Sequence, residues 1–116
     1  MAKKDSLPAA IMTSDVTIAN GATTSDALDL AGCTLTGIVF PASMTGTAMT
    51  FSVSHDGTTF RAMKDSTGAN ISITITSSAH IALLASDFAS VRYIKLVSGS
   101  AETGAKTITI LFRNVR

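Results

Sequence analysis

Apolar and polar residues alternate with a period of two along most of the chain. In Met49-Thr50-Phe51-Ser52-Val53-Ser54, Met49, Phe51 and Val53 fall on one side and the hydroxyl residues on the other, the pattern of a half-buried strand. It runs into Asp56-Gly57, a pair that accepts the positive φ angles of a tight hairpin, and so predicts a return strand over Thr59 to Met63. The same alternation recurs in Val16-Thr17-Ile18, Thr34 to Phe40, Ile71 to Thr76, Val91 to Val97 and Lys106 to Arg113. Turn-forming residues separate these segments: Asn20-Gly21, Ala31-Gly32, Pro41, Thr67-Gly68-Ala69-Asn70, Ser77-Ser78 and the stretch from Ser98 to Gly104.

About eight short strands at this spacing predict an all-β fold, an antiparallel β-sandwich of jelly-roll-like form. Helix is confined to a single turn over Ala85 to Ser90, with Ser86 or Asp87 as its cap. Residues 1–10 lack alternation and carry Lys3, Lys4, Asp5 and Pro8, so they read as an N-terminal arm before one sandwich domain over 11–116. Phe40, Phe51, Phe60 and Phe112 take core positions. Strand edges are expected at Val16 to Ala19 or at Thr107 to Phe112, where unpaired backbone would be open to a neighbouring subunit.

Composition narrows the function. Hydrophobic residues make up 46% of the chain and charged residues only 15%, so Ser and Thr must cover much of the surface. A face of small hydroxyl and apolar groups suits permanent contact with other protein, including other copies of the same chain. A net charge of +1 supplies no field to draw nucleic acid or an anionic membrane, and neither is expected as a partner. Cys33 is the sole cysteine and is expected to pack as a small apolar residue. The start of the chain lacks the continuous apolar run of a secretion signal, which predicts synthesis and folding in the cytosol.

The inventory for catalysis is short: His55, His80, Cys33, Tyr93 and scattered carboxylates. The two histidines lack the spacing that sets imidazoles on one metal, and Cys33 has no local nucleophile signature. Asp26 and Asp29 do not follow a calcium-loop pattern and read as solvent-side residues or turn caps. The glycines sit singly at turns and form no phosphate cradle. The chain therefore reads as non-enzymatic, with no cofactor and no metal site. One strand stands out chemically: in Arg92-Tyr93-Ile94-Lys95-Leu96, Tyr93 and Lys95 share a face while Ile94 and Leu96 share the other, which makes Arg92, Tyr93 and Lys95 a candidate contact strand.

Two stretches, Val16 to Ser25 leading into Asp29 to Ile38, and Phe51 to Phe60 together with Val91 to Gly99, resemble small virion structural proteins of tailed bacteriophages that decorate the head. The resemblance implies a β-sandwich displayed in many copies on the capsid surface of the virion. There it would cement or ornament the lattice of the major capsid protein, as a homo-oligomer with a trimer among the forms allowed. Lys3 and Lys4 of the arm are then candidates for a capsid tether. The Arg-Tyr-Ile-Lys-Leu strand is also similar to the late strands of discoidin-like carbohydrate-binding modules, which implies as the alternative a glycan-adhesion module of a phage tail or a secreted protein. The absence of Trp and the single Tyr weigh against that alternative.

Overall fold

The structure is a computed structural model and describes residues 11–114. The expected arm over 1–10 lies outside the described residues. Nine strands are present among the described residues: β1 Ile11–Ile18, β2 Leu28–Asp29, β3 Thr34–Val39, β4 Ala48–Ser54, β5 Arg61–Ala62, β6 Ser72–Thr74, β7 His80–Ala82, β8 Tyr93–Ser98 and β9 Lys106–Arg113. They form a four-stranded sheet, β1-β9-β3-β7, and a five-stranded sheet in which β2-β8-β4 is completed by β5 and β6. Every pairing is antiparallel. β5 and β6 lie end to end along the same edge of β4, as one strand interrupted by an excursion that the Lys64–Asn70 bridge closes. With those two counted together, the chain passes from sheet to sheet at nearly every connection, which is the wrapping of a jelly roll.

The alternation read from the sequence explains the core. Val16 and Ile18 of β1, Met49 and Phe51 of β4, Ile94 and Leu96 of β8 and Ile108 and Ile110 of β9 all point between the sheets and are buried. β3 departs from strict alternation, because Leu35 and Ile38 are both fully buried although three positions apart. A β-bulge between Leu35 and Gly37 inserts one residue against β9 and returns Ile38 to the inner face. Phe88, on the 3₁₀ turn Ala85–Phe88, plugs one end of the core with its ring edge-on to Phe51 at 5.2 Å.

Several expectations are corrected in detail. The hairpin after β4 is real but has no two-residue turn: six residues separate Ser54 from Arg61, and the Asp56 carboxylate organises them by accepting the Thr58 and Thr59 amides and the Ser54 hydroxyl. That role also buries Ser54, on the face expected to be open to solvent. The 3₁₀ turn follows Leu84 with no side-chain cap, so neither Ser86 nor Asp87 serves as one. Phe40 and Phe51 are core residues, whereas Phe60 and Phe112 are only half-buried. Cys33 is only half-buried, because it sits at the Ala31-Gly32 turn just before β3 enters the sheet. Of the two candidate edges, β1 is one and β9 is not, since β9 is paired on both sides.

One end of the sandwich is closed by a residue that the hydrophobic pattern does not reveal. Glu102 is 1% exposed in the β8–β9 loop. Its carboxylate accepts the amides of Thr45 (2.8 Å) and Gly46 (2.9 Å) and the Ser98 hydroxyl (2.7 Å). Its own amide donates to the Ala22 carbonyl, and its carbonyl accepts the Gly21 amide. The β1–β2, β3–β4 and β8–β9 connections, all of which cross between sheets, thus meet at one residue. Gly46 permits this: a Cβ at that position would fall on Ser98 Oγ and crowd the carboxylate.

Burial pushes the Glu102 carboxyl up, but the two amides, the Ser98 hydroxyl and the nearby Lys106 charge outweigh it, and its pKa lies below the ordinary value of 4.5. A folded-state pKa depressed in this way contributes stability above the unfolded value and loses it as the pH falls through the folded one. Glu102→Gln leaves at least one buried donor facing an NH₂ group and is expected to cost about 1–3 kcal/mol at neutral pH. In denaturant unfolding from pH 7 downward, the gap between wild type and this variant should narrow below about pH 4.5. A gap independent of pH would show that the carboxylate charge does not hold the loops.

Candidate contact surface

At the end of the sandwich opposite Glu102, the start of β8 meets the β4–β5 hairpin and the end of β2. Asp29 pairs with Tyr93 across β2 and β8, and Ser54 pairs with Tyr93 across β4 and β8, which sets these residues on the outer face of the five-stranded sheet. Arg92 donates through Nε to Asp29 Oδ1 at 2.6 Å and through Nη2 to Oδ2 at 3.1 Å, a two-pronged ion pair. The guanidinium hydrogen bond, the Ala31 amide and the Arg92 charge hold the Asp29 carboxyl below its usual range. The same guanidinium lies 5.1 Å from the centre of the Tyr93 ring.

Tyr93 also packs on the backbone of the hairpin. A Cβ added to Gly57 would come within 3.1 Å of the ring, and Gly57 adopts φ +79°, so glycine is required there on two counts. Lys95, two residues along the same face, holds its ammonium 4.3 Å from the centre of the Phe60 ring. The candidate residues Arg92, Tyr93 and Lys95 therefore do form one surface, and each is fixed by a neighbour. Alternation does not reveal those neighbours: it places Phe60 in the core, and the Asp29–Arg92 pair spans 63 positions. Lys3 and Lys4 lie outside the described residues.

Beyond this cluster the outer face carries small side chains. Thr50 and Ser52 of β4 stand beside Ser72 of β6, Ala62 of β5 and Val97 of β8. An open depression of about 320 Å³ lies beside the hairpin, with His55, Arg61, Lys64 and Asp87 on its rim and Met63 and Val91 at its base. It is at the small end of ligand pockets and has one acidic group among its cations. Among the described residues, no three His, Cys, Asp or Glu side chains are grouped to hold a metal ion. His55 follows β4 of one sheet and His80 lies in β7 of the other, with His80 over Gly37.

Neither protein-family models nor curated proteins give a match to this chain. Its backbone is similar to the crystal structure of the SPBc2 prophage-derived protein YomS, with a TM-score of 0.54 and 13% sequence identity over 90% of this chain and 95% of that one. At that identity the likeness is one of fold.

Because Gly57 supports Tyr93 in a left-handed conformation, Gly57→Ala is expected to lower stability by about 1–2 kcal/mol. The chain has no Trp and Tyr93 is its single tyrosine, so intrinsic fluorescence reports on this site alone. The variant should show an altered tyrosine emission in its folded state. Unchanged emission and stability would mean that the hairpin does not support the ring.

Proposed function

We propose that this protein is a structural component of a tailed-phage virion. It decorates or cements the capsid through protein contacts, as a homo-oligomer bound to the major capsid protein, and it has no enzymatic role. The observation that carries this reading is the outer face of the five-stranded sheet, a field of small hydroxyl and apolar side chains. It is bordered by two cations that are already positioned, Arg92 on Asp29 and Lys95 on Phe60. Such a surface suits extended contact with another protein, and its preset side chains lose little freedom on binding. The fold likeness to a prophage-derived protein agrees with a phage origin. On a lattice, modest contacts gain strength when each copy touches several neighbours.

The glycan-binding alternative is less well supported by the same residues. A sugar platform presents free aromatic faces, whereas Tyr93 is covered by the Gly57 turn and the Arg92 guanidinium, and Phe60 carries the Lys95 ammonium.

The test is co-sedimentation of the full-length protein with undecorated heads of the phage that encodes it. The expected result is saturable binding at a fixed ratio to the major capsid protein. Lys95→Glu should weaken it about tenfold, equivalent to about 1.4 kcal/mol, while leaving the unfolding midpoint unchanged. Removal of residues 1–10 should weaken it further if Lys3 and Lys4 act as the tether. Failure to sediment with heads, together with hits on a glycan array, would overturn the capsid reading in favour of the adhesion module.

A further inference from the structure

β1 is the outer strand of the four-stranded sheet and runs for eight residues, Ile11–Ile18, with one charged side chain and no proline. Edge strands of this length are normally guarded by lysines, prolines or bulges. Here the single charge, Asp15, is engaged within the sheet, where its carboxylate accepts the Thr109 hydroxyl at 2.8 Å. The exposed edge is also apolar at its beginning, with Ile11 59% and Met12 38% exposed.

The backbone shows which groups face outward. Thr17 donates its amide to Asp26 Oδ1 at 2.8 Å, and its carbonyl accepts the Asp26 amide at 3.3 Å, both on the side away from β9. In an antiparallel ladder, residues two apart point their backbone groups the same way. Asp15, Thr13 and Ile11 therefore turn their N–H and C=O groups to the same open edge. Asp26 closes that edge at Thr17; among the described residues Ile11, Thr13 and Asp15 are left open, with Thr13 the middle one of the three.

We propose that this edge pairs with the same edge of a second copy, antiparallel about a two-fold axis through Thr13, to give one continuous sheet across the two copies. The segment is self-complementary in that register. Thr13 faces the partner's Thr13, and Ile11 and Asp15 face the partner's Asp15 and Ile11, so all three outward residues exchange two backbone hydrogen bonds. A shift of two residues in one direction places Thr17, already held by Asp26, in the ladder; a shift in the other direction keeps only Ile11 and Thr13 paired among the described residues. The central register also keeps the two Asp15 side chains from standing directly opposite, and a Thr–Thr pair at the axis is favourable. Exposed Met12 falls opposite the partner's Ser14 and loses its solvent-facing surface. The result is an isologous dimer, a different assembly from the trimer that the resemblance allows, and it does not depend on the capsid reading.

The test is light scattering with size exclusion on the full chain over a concentration series. Twice the chain mass is expected at high concentration. Thr13→Pro removes an outward amide, a position where an edge strand tolerates proline, and should give a monomer with an unchanged unfolding midpoint. If that variant does not fold, Thr13→Lys serves instead: it places like charges across the axis and should weaken the dimer at least tenfold, with recovery in high salt. A monomer at every concentration up to the solubility limit, or a dimer unaffected by either folded variant, would overturn the proposal.

Discussion

The fold depends on a buried carboxylate that ties the β3–β4 loop to the end of β8. Glu102 gathers the Thr45 and Gly46 amides, the Ser98 hydroxyl and the backbone of Gly21 and Ala22 into one polar node. A jelly roll has a recurrent difficulty at its ends, because connections that cross between sheets leave backbone groups away from any ladder, and buried groups of that kind are costly unless bonded. Here one anionic side chain satisfies three donors at once, in the geometry where a carboxylate forms its strongest hydrogen bonds. The neighbouring contacts extend the node: the Thr103 amide donates to Thr45 Oγ1, and the Gly104 amide donates to Asn20 Oδ1.

Closure at that end leaves the opposite end free to vary. The hairpin after β4 is organised by Asp56, the excursion between β5 and β6 by Asp65, and the turn after β2 by Asp29. Their hydrogen bonds hold all three carboxyls below the usual range. These exposed turns position the cations and rings of the proposed contact surface without drawing on the core. The edge of β1 runs toward this end, with Ile11 at its tip, so the self-pairing strand and the Arg92–Tyr93 cluster can act together in an assembly.

The sequence was most informative where a single rule governs the residues. Alternation located β4, β8 and β9 closely, because their inner faces are filled almost entirely by apolar side chains, with Ser98 the polar member at the end of β8. It also divided Tyr93 and Lys95 from Ile94 and Leu96 correctly. It misjudged β3, where the bulge at Gly37 breaks the period, and Ser54, whose outward-facing hydroxyl is covered by the hairpin that it helps to hold. β1 was legible only from Val16 onward, since Ile11-Met12-Thr13-Ser14-Asp15 alternates weakly and owes its strand state to pairing with β9. Glu102 could not be recognised from its surroundings in the chain: its partners at Thr45 and Gly46 are more than fifty positions away, and a glutamate in a Ser/Gly-rich loop ordinarily reads as solvated.

A sandwich with one end tied at Glu102, a hydroxyl-rich outer face and an open edge at β1 together underlie the proposal that this protein works by contact. Cryo-electron microscopy of virions of the encoding phage tests this most directly. The account expects density for a β-sandwich with extents near 47 × 31 × 24 Å, repeated over the capsid lattice with the outer face of the five-stranded sheet or the β1 edge against protein. A capsid surface with no such density would contradict it.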